Sequence, residues 1–378
     1  MIRALMPLLA AVALTFGCKS ELGPPAESGE SQAQAEPPAT RAIDAGSVDS
    51  PGLKPAPAVP DSPLGLPDRV SNPSRTAVAL GRVLFFDPRI SASGRTACST
   101  CHRPDHGWAS PQTRTRTDGG QLNARHTPTL WSTGRAEAWP WDGQATNLAA
   151  MIRVHWRGQL GDPAQAMNRL GTFPGYQAHF QRAFRAEPSA RRAAQALAAF
   201  VSILETGNSP WDRYEAGDRK AVDAEVVAGF EVFRNIAQCA LCHSPPMYTD
   251  HGFHRLRVAR ELADPGRMRA TGRELDRGAF RTPGLRGLLH TAPYLHDGSA
   301  ATLEEVVDRK LAGGIKTGDP TVDRRLANVR LSPVQRRQLL AFLRALSNAA
   351  PPGYQRPHLP EPPSYDAGVS DAPSPATP

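Results

Sequence analysis

The sequence predicts a mainly α-helical fold made of two similar units, and three observations carry that expectation. One pentapeptide, Cys98-Ser99-Thr100-Cys101-His102, returns as Cys239-Ala240-Leu241-Cys242-His243. Apolar residues recur at helical spacing in several stretches that open or close on capping residues, glycine or proline. Runs with the two-residue period of a strand are sparse.

Both pentapeptides read CxxCH, the attachment signal for a c-type haem. Residues three apart share a helix face, so both thiols can reach the vinyl groups of one porphyrin. The adjoining histidine then supplies the proximal imidazole to the iron. A zinc site or a thioredoxin-like redox pair are the alternatives. Zinc would favour a second ligand pair nearby, and a redox CxxC has no need of histidine next in both copies. Two covalently bound haem c groups follow, anchored by Cys98, Cys101, Cys239 and Cys242, with His102 and His243 as iron ligands. The fold class is therefore mainly α, with two cytochrome c-like haem domains whose long loops pack around the cofactors.

In chain order, residues 1–17 read as an export signal: Met1-Ile2-Arg3, an apolar run from Ala4 to Phe16, then Gly17. That run is too short to span a membrane. Cys18, left over from the four haem cysteines, suggests a lipidated N-terminus, although Thr15 stands where such signals usually carry leucine. Residues 18–67 are rich in Pro, Ala, Ser, Gly and Glu and read as a disordered tether, and 351–378 as a similar tail. Between them, 68–218 is the first haem domain and 219–350 the second. Arg191 to Leu204 carries an apolar stripe ended by Gly207-Asn208-Ser209-Pro210, and Ala221 to Phe233 a helix leading into the second motif. Thr302 with Glu305 predicts a capping box opening a helix to Leu311, and Ser332-Pro333-Val334-Gln335 opens the last one.

The chain has 378 residues and a net charge of +8, with five lysines against 39 arginines. No dense basic run with interleaved aromatics marks a nucleic-acid surface, and export argues against one. Export and haem attachment both point to the periplasm, with membrane contact only through an N-terminal lipid. A basic patch for an acidic electron-donor protein is compatible with the charge, which does not locate it.

Further motifs occur in a fixed order: Leu80-Gly81 with Leu84-Phe85-Phe86-Asp87-Pro88-Arg89, Trp141-Asp142-Gly143, Phe280-Arg281-Thr282-Pro283-Gly284-Leu285-Arg286, and Ala292-Pro293-Tyr294-Leu295-His296-Asp297-Gly298. With the two haem signals, they resemble the bacterial dihaem cytochrome c peroxidases over about Asn72 to Leu346. That family includes the methylamine-utilisation dihaem enzyme, which matures tryptophan tryptophylquinone in a partner protein. The resemblance implies that the first haem reacts with hydrogen peroxide and the second relays electrons from a small soluble cytochrome or copper protein. It implies Trp141 as a stepping stone between the haems, with a packed core aromatic as the alternative. Arg281 and Arg286 would suit haem propionates, because guanidinium pairs bidentately with carboxylate.

Four positions depart from the family pattern. The histidine that often follows the first motif by sixteen residues and caps the resting iron is Asp118 here, which would leave that iron open to peroxide. Matching the distal Asn-Pro-x-Glu stretch to Asp162-Pro163-Ala164-Gln165 puts Gln165 in place of the acid, and glutamine cannot shuttle a proton. Ungapped counting reaches Gly161 instead, and His155, Asp162 or Asp118 would have to substitute. The family calcium, held by an asparagine and by carbonyls that would be those of Thr291 and Pro293, meets His126 at the asparagine position. Hard calcium disfavours imidazole, so that ion loses its side-chain support. The second iron's distal methionine or tyrosine becomes Lys310, on the same helical face as Val306 and Val307.

The expected function is thus hydrogen peroxide reduction with electrons from a small donor protein. The alternatives are oxidation of a partner protein's side chains and a non-catalytic dihaem electron carrier or redox sensor. A homodimer is a further expectation.

Overall fold

In the computed structural model the described residues are 54–69, 72–260, 263–314, 322–349, 354 and 356–362. The export signal and Cys18 lie outside them. Eleven helices occur among the described residues: α1 (Arg75–Phe86), α2 (Cys98–Cys101), α3 (Leu148–Leu160), α4 (Pro163–Leu170), α5 (Pro174–Phe184), α6 (Ala190–Ser202), α7 (Pro210–Glu215), α8 (Ala224–Glu231), α9 (Met268–Thr271), α10 (Leu303–Leu311) and α11 (Pro333–Ala345). The only sheet among them is a two-residue antiparallel pair, β1 (Phe253–His254) with β2 (Phe280–Arg281).

Each half is built on one tight helix crossing made possible by a glycine. A Cβ on Gly81 of α1 would stand 1.9 Å from the Ala196 carbonyl oxygen of α6. A Cβ on Gly229 of α8 would stand 2.0 Å from the Gln338 carbonyl oxygen of α11. The backbones therefore approach more closely than any larger residue permits, and the apolar stripes beside them fill two cores. The first holds Leu80, Leu84, Phe85, Leu197 and Phe200, with α3 and α5 added. The second holds Trp211, Phe233, Leu339, Phe342 and Leu343.

Helix boundaries follow side-chain caps. Ser332 and Gln335 form the expected reciprocal capping box at α11. At α10 the Thr302 hydroxyl accepts from Glu305 N, while the Glu305 carboxylate accepts from Ala301 N, one residue earlier than a capping box requires. Helix α8 runs into one π-helical turn, Val232–Ile236, and then Gln238 at φ 55°, which ends it just before Cys239.

The structure moves three expected boundaries. Residues 54–67 are packed on the body: Arg75 donates to the Ala56 and Pro57 carbonyls, and Asn208 N donates to Leu64 O. In the C-terminal stretch Tyr354 stacks on Phe86 with centroids 5.3 Å apart, and Arg89 donates to Pro360 O. Helix α7 joins the second core through Trp211 and Tyr214, so the cores divide between Leu204 and Trp211, ahead of residue 218. In each case apolar or arginine side chains make contacts distant in sequence, which composition does not reveal. No helix among the described residues is long and apolar enough to cross a membrane.

Candidate functional site

Both CxxCH segments open as short helical turns, Cys98–Cys101 and Cys239–Leu241, and in both the chain then doubles back to hold the histidine ring. Gly107 and Trp108, at φ 59° and 58°, bring the Trp108 carbonyl 3.1 Å from His102 Nδ1. Tyr248, at φ 54°, brings its carbonyl 2.9 Å from His243 Nδ1. A carbonyl accepts only from N–H, so each imidazole carries its proton on Nδ1 and keeps the Nε2 lone pair for a metal. Burial pushes both histidines down to about 4, which keeps them neutral. Trp108 and Tyr248 were not singled out from the sequence. Their signal there is an aromatic residue six or five positions past the motif histidine.

A cavity of about 260 Å³ opens beside the second motif. Its wall takes Cys242, His243, Arg281 and Lys310 from the second half, and His126, Trp131 and Trp141 from the first. Trp141 ties the halves together: its Nε1 donates to His126 O at 3.0 Å, and its carbonyl accepts from Arg281 N at 2.8 Å. It thus stands on the wall shared by both segments.

Arg281 brings a guanidinium to this wall whose buried Nε has no hydrogen-bond partner. Burial lowers its pKa. A cation so placed lacks an anion, and a porphyrin propionate supplies one. The orphaned Nε, the two ordered imidazoles and the paired cysteines together fit a c-type haem in each half. Arg286 does not share that role. Its Nη1 meets both Asp212 oxygens at 2.7 and 2.8 Å, its Nε the Pro246 carbonyl, and its Nη2 the Gly65 carbonyl. This guanidinium is committed to a buried ion pair, so the propionate assignment fails for it.

Around the first motif the candidate acids separate. The Asp118 carboxylate accepts from Ser93 N and Ser93 Oγ at 2.8 and 2.5 Å and from Thr96 Oγ1 at 2.6 Å. Burial acts to raise its pKa, but these bonds hold it below the usual range. These bonds fasten the loop ahead of Cys98. Gln165 is exposed on α4, whose buried face is Pro163, Ala166, Met167 and Leu170. Asp162 caps the same helix through Ala164 N and pairs with Arg157. Neither is brought to His102.

His155 is. It stands on α3 close enough for its charge to be felt at His102, its side chain is exposed, and desolvation by the atoms around it lowers its pKa.

His126 replaces the calcium-binding asparagine and turns its Nδ1 toward the Gln112 and Thr113 carbonyls, 3.1 and 3.2 Å away. Its ring therefore offers no oxygen ligand. The one grouping of metal-type ligand atoms among the described residues is Cys242, Asp250 and His254. His254 spends both nitrogens on Asp250 and Asp323, at 2.9 and 2.8 Å, and Cys242 belongs to the second CxxCH motif. Contact with the Cys242 sulfur, followed by the two carboxylates, pushes His254 up to about 9.

Lys310 lies in the cavity with Val306 of the same helix, close enough to Cys239, Cys242 and His243 for their charges to be felt. Burial pushes its amine down to about 8. No hydrogen bond or ion pair of its Nζ occurs among the described residues.

Comparison with known proteins agrees with this geometry. Residues 75–220 match the family model of the di-haem cytochrome c peroxidases that include MauG. The chain is 36% identical over 334 residues to the methylamine utilization protein MauG of Methylorubrum extorquens, covering 85% of this chain and 92% of that protein. It is 30% identical to the cytochrome c551 peroxidase of Nitrosomonas europaea, over 74% of this chain and 82% of that one. Among solved structures, a MauG-like protein associated with microbial copper homeostasis superposes with a TM-score of 0.67 at 25% identity, covering 81% of this chain and 96% of that one. The chain belongs to the MauG and di-haem cytochrome c peroxidase family, whose members are oxidoreductases acting on peroxide.

Proposed function

We propose that this protein reduces hydrogen peroxide to water with two electrons and two protons, the electrons coming from a small soluble cytochrome or copper protein. The observation that carries the reading is that both motif histidines are held on Nδ1 by a backbone carbonyl, which leaves each Nε2 for an iron. When bound, a haem in each half supplies the redox-active iron through which electrons reach peroxide. The chain does the rest. The Trp108 carbonyl holds His102 in one tautomer and orientation. His155, whose pKa is lowered by desolvation, takes the proton from one peroxide oxygen and returns it to the other, so that water leaves. Trp141, on the cavity wall to which both halves contribute, carries electrons between them. Cys98, Cys101, Cys239 and Cys242 hold the porphyrins by thioether bonds.

Steady-state consumption of peroxide with a reduced c-type cytochrome tests this. His155→Leu should lower the rate about 10²–10⁴-fold at unchanged haem content, the usual worth of a positioned acid/base. A variant that turns over at the wild-type rate would remove His155 from the mechanism.

A second reading, oxidation of side chains on a partner protein, is favoured by the 36% and 35% identities to two MauG proteins. It is supported instead if donor turnover is absent and peroxide drives tryptophan or tyrosine oxidation on a partner, read by mass spectrometry. We also propose that the protein works in the periplasm, held to a membrane by lipid on Cys18. Cys18→Ser should then shift it from the membrane fraction to the soluble periplasm.

A further inference from the structure

We infer that Lys310 is the second axial ligand of the iron held by His243, through a neutral Nζ amine. The inference rests on the reading of His243 as the proximal ligand of a bound c-type haem. It concerns a residue that is this chain's own, since the family places methionine or tyrosine there.

The geometry supplies three supports. Val306 and Lys310 are four residues apart on α10, stack on one face, and both line the cavity that holds Cys242 and His243. Lys310 lies within electrostatic reach of Cys239, Cys242 and His243, the three residues that fix the porphyrin. Its Nζ has no carboxylate or hydrogen-bond partner among the described residues, and an unpaired ammonium in such a place is costly. A lysine whose stem packed while its ammonium reached for solvent would carry that nitrogen away from both cysteines.

Competing donors in the cavity are fewer than its lining suggests. Met247 lines the cavity from the loop whose Tyr248 carbonyl holds His243 Nδ1. His254 has both nitrogens engaged by Asp250 and Asp323. His251 keeps a buried, unpartnered Nδ1, but it lies toward Arg281, the guanidinium that fits a propionate. Lysine ligation changes no oxidation state. The ammonium gives one proton to solvent, and the freed lone pair forms the iron–nitrogen bond.

Haem content of the full-length holoprotein is measured first, and fewer than two haems per chain would overturn the underlying haem reading together with this inference. With two present, protein grown on lysine labelled with ¹⁵N at the side chain should show an added ¹⁵N coupling on one low-spin ferric iron. That measurement needs no substitution. Lys310→Met should introduce a sulfur-to-iron absorption band at the red edge of the visible and raise the potential of one haem. Lys310→Ala should convert one low-spin signal to high-spin. No ¹⁵N coupling, with low-spin signals unchanged in both variants, would overturn lysine ligation and point to His251.

Discussion

Arg281 and Arg286 sit five residues apart and differ in what their guanidinium groups meet. Arg281 presents a buried Nε without a partner to the cavity, whereas Arg286 is closed around Asp212 and two carbonyls. Removing each should therefore do different things. Arg281→Leu deletes a positive charge beside the second haem, which favours the oxidised iron and lowers its potential. A drop of about 60 mV, one tenfold step in a one-electron equilibrium, is the expected scale, read by redox titration. Arg286→Leu leaves Asp212 buried and unpaired and should destabilise the fold by about 3–5 kcal/mol with both potentials unmoved. If the two variants exchanged these signatures, the propionate assignment would belong to Arg286.

At the scale of elements, the two halves repeat one device. A glycine lets a helix press onto its neighbour, and the chain following that helix carries the CxxCH turn. Gly229→Ala puts a methyl group 2.0 Å from the Gln338 carbonyl and 2.9 Å from Phe342 Cβ. Backbone atoms there cannot turn aside as a flexible side chain would. The α8–α11 pair must separate, at a cost of about 1–3 kcal/mol. Chemical denaturation of Gly229→Ala against Gly158→Ala provides the control, because a Cβ at Gly158 meets nothing within 4 Å. Equal stability of the two would show that the close approach contributes nothing.

Across the whole molecule the halves are joined by charge as well as by the shared cavity. Arg125 donates through Nη1 to Asp142 at 2.6 Å and through Nε and Nη2 to Asp264 at 2.7 and 2.8 Å. Burial alone would raise Asp264, but the Arg125 guanidinium and the Gly266 N–H overcome it and hold the carboxyl at about 2. A depressed carboxyl contributes stability that is complete above its unfolded value, about 3.9, and is lost as pH falls through about 2. Denaturation midpoints measured between pH 5 and 2 should therefore fall on the acid side. Asp264→Asn should flatten that part of the profile. An unchanged slope would mean that Asp264 is not the group responsible.

Much of this protein is written in short-range chemistry. CxxCH specifies thioether spacing and the proximal histidine within five residues. The 3.6-residue period and the Ser332–Gln335 cap define helices from neighbours three or four positions apart. Lys310 was legible for the same reason: its place on the Val306 face is a matter of helix geometry alone. What the sequence could not decide is where charged groups find partners. Arg286 and Asp212 meet across 74 positions, and Asp118 reaches back 25 to Ser93, so both left the roles their motifs suggested. His155 came near His102 only through tertiary packing, in which α3 lies against α6. Trp108 and Tyr248 act through backbone carbonyls, and their side-chain identity says nothing of that. Periodicity and covalent motifs are properties of adjacent residues. The partner of a buried ion and the ring brought near His102 are properties of which helices touch, and only the tertiary structure holds those distances.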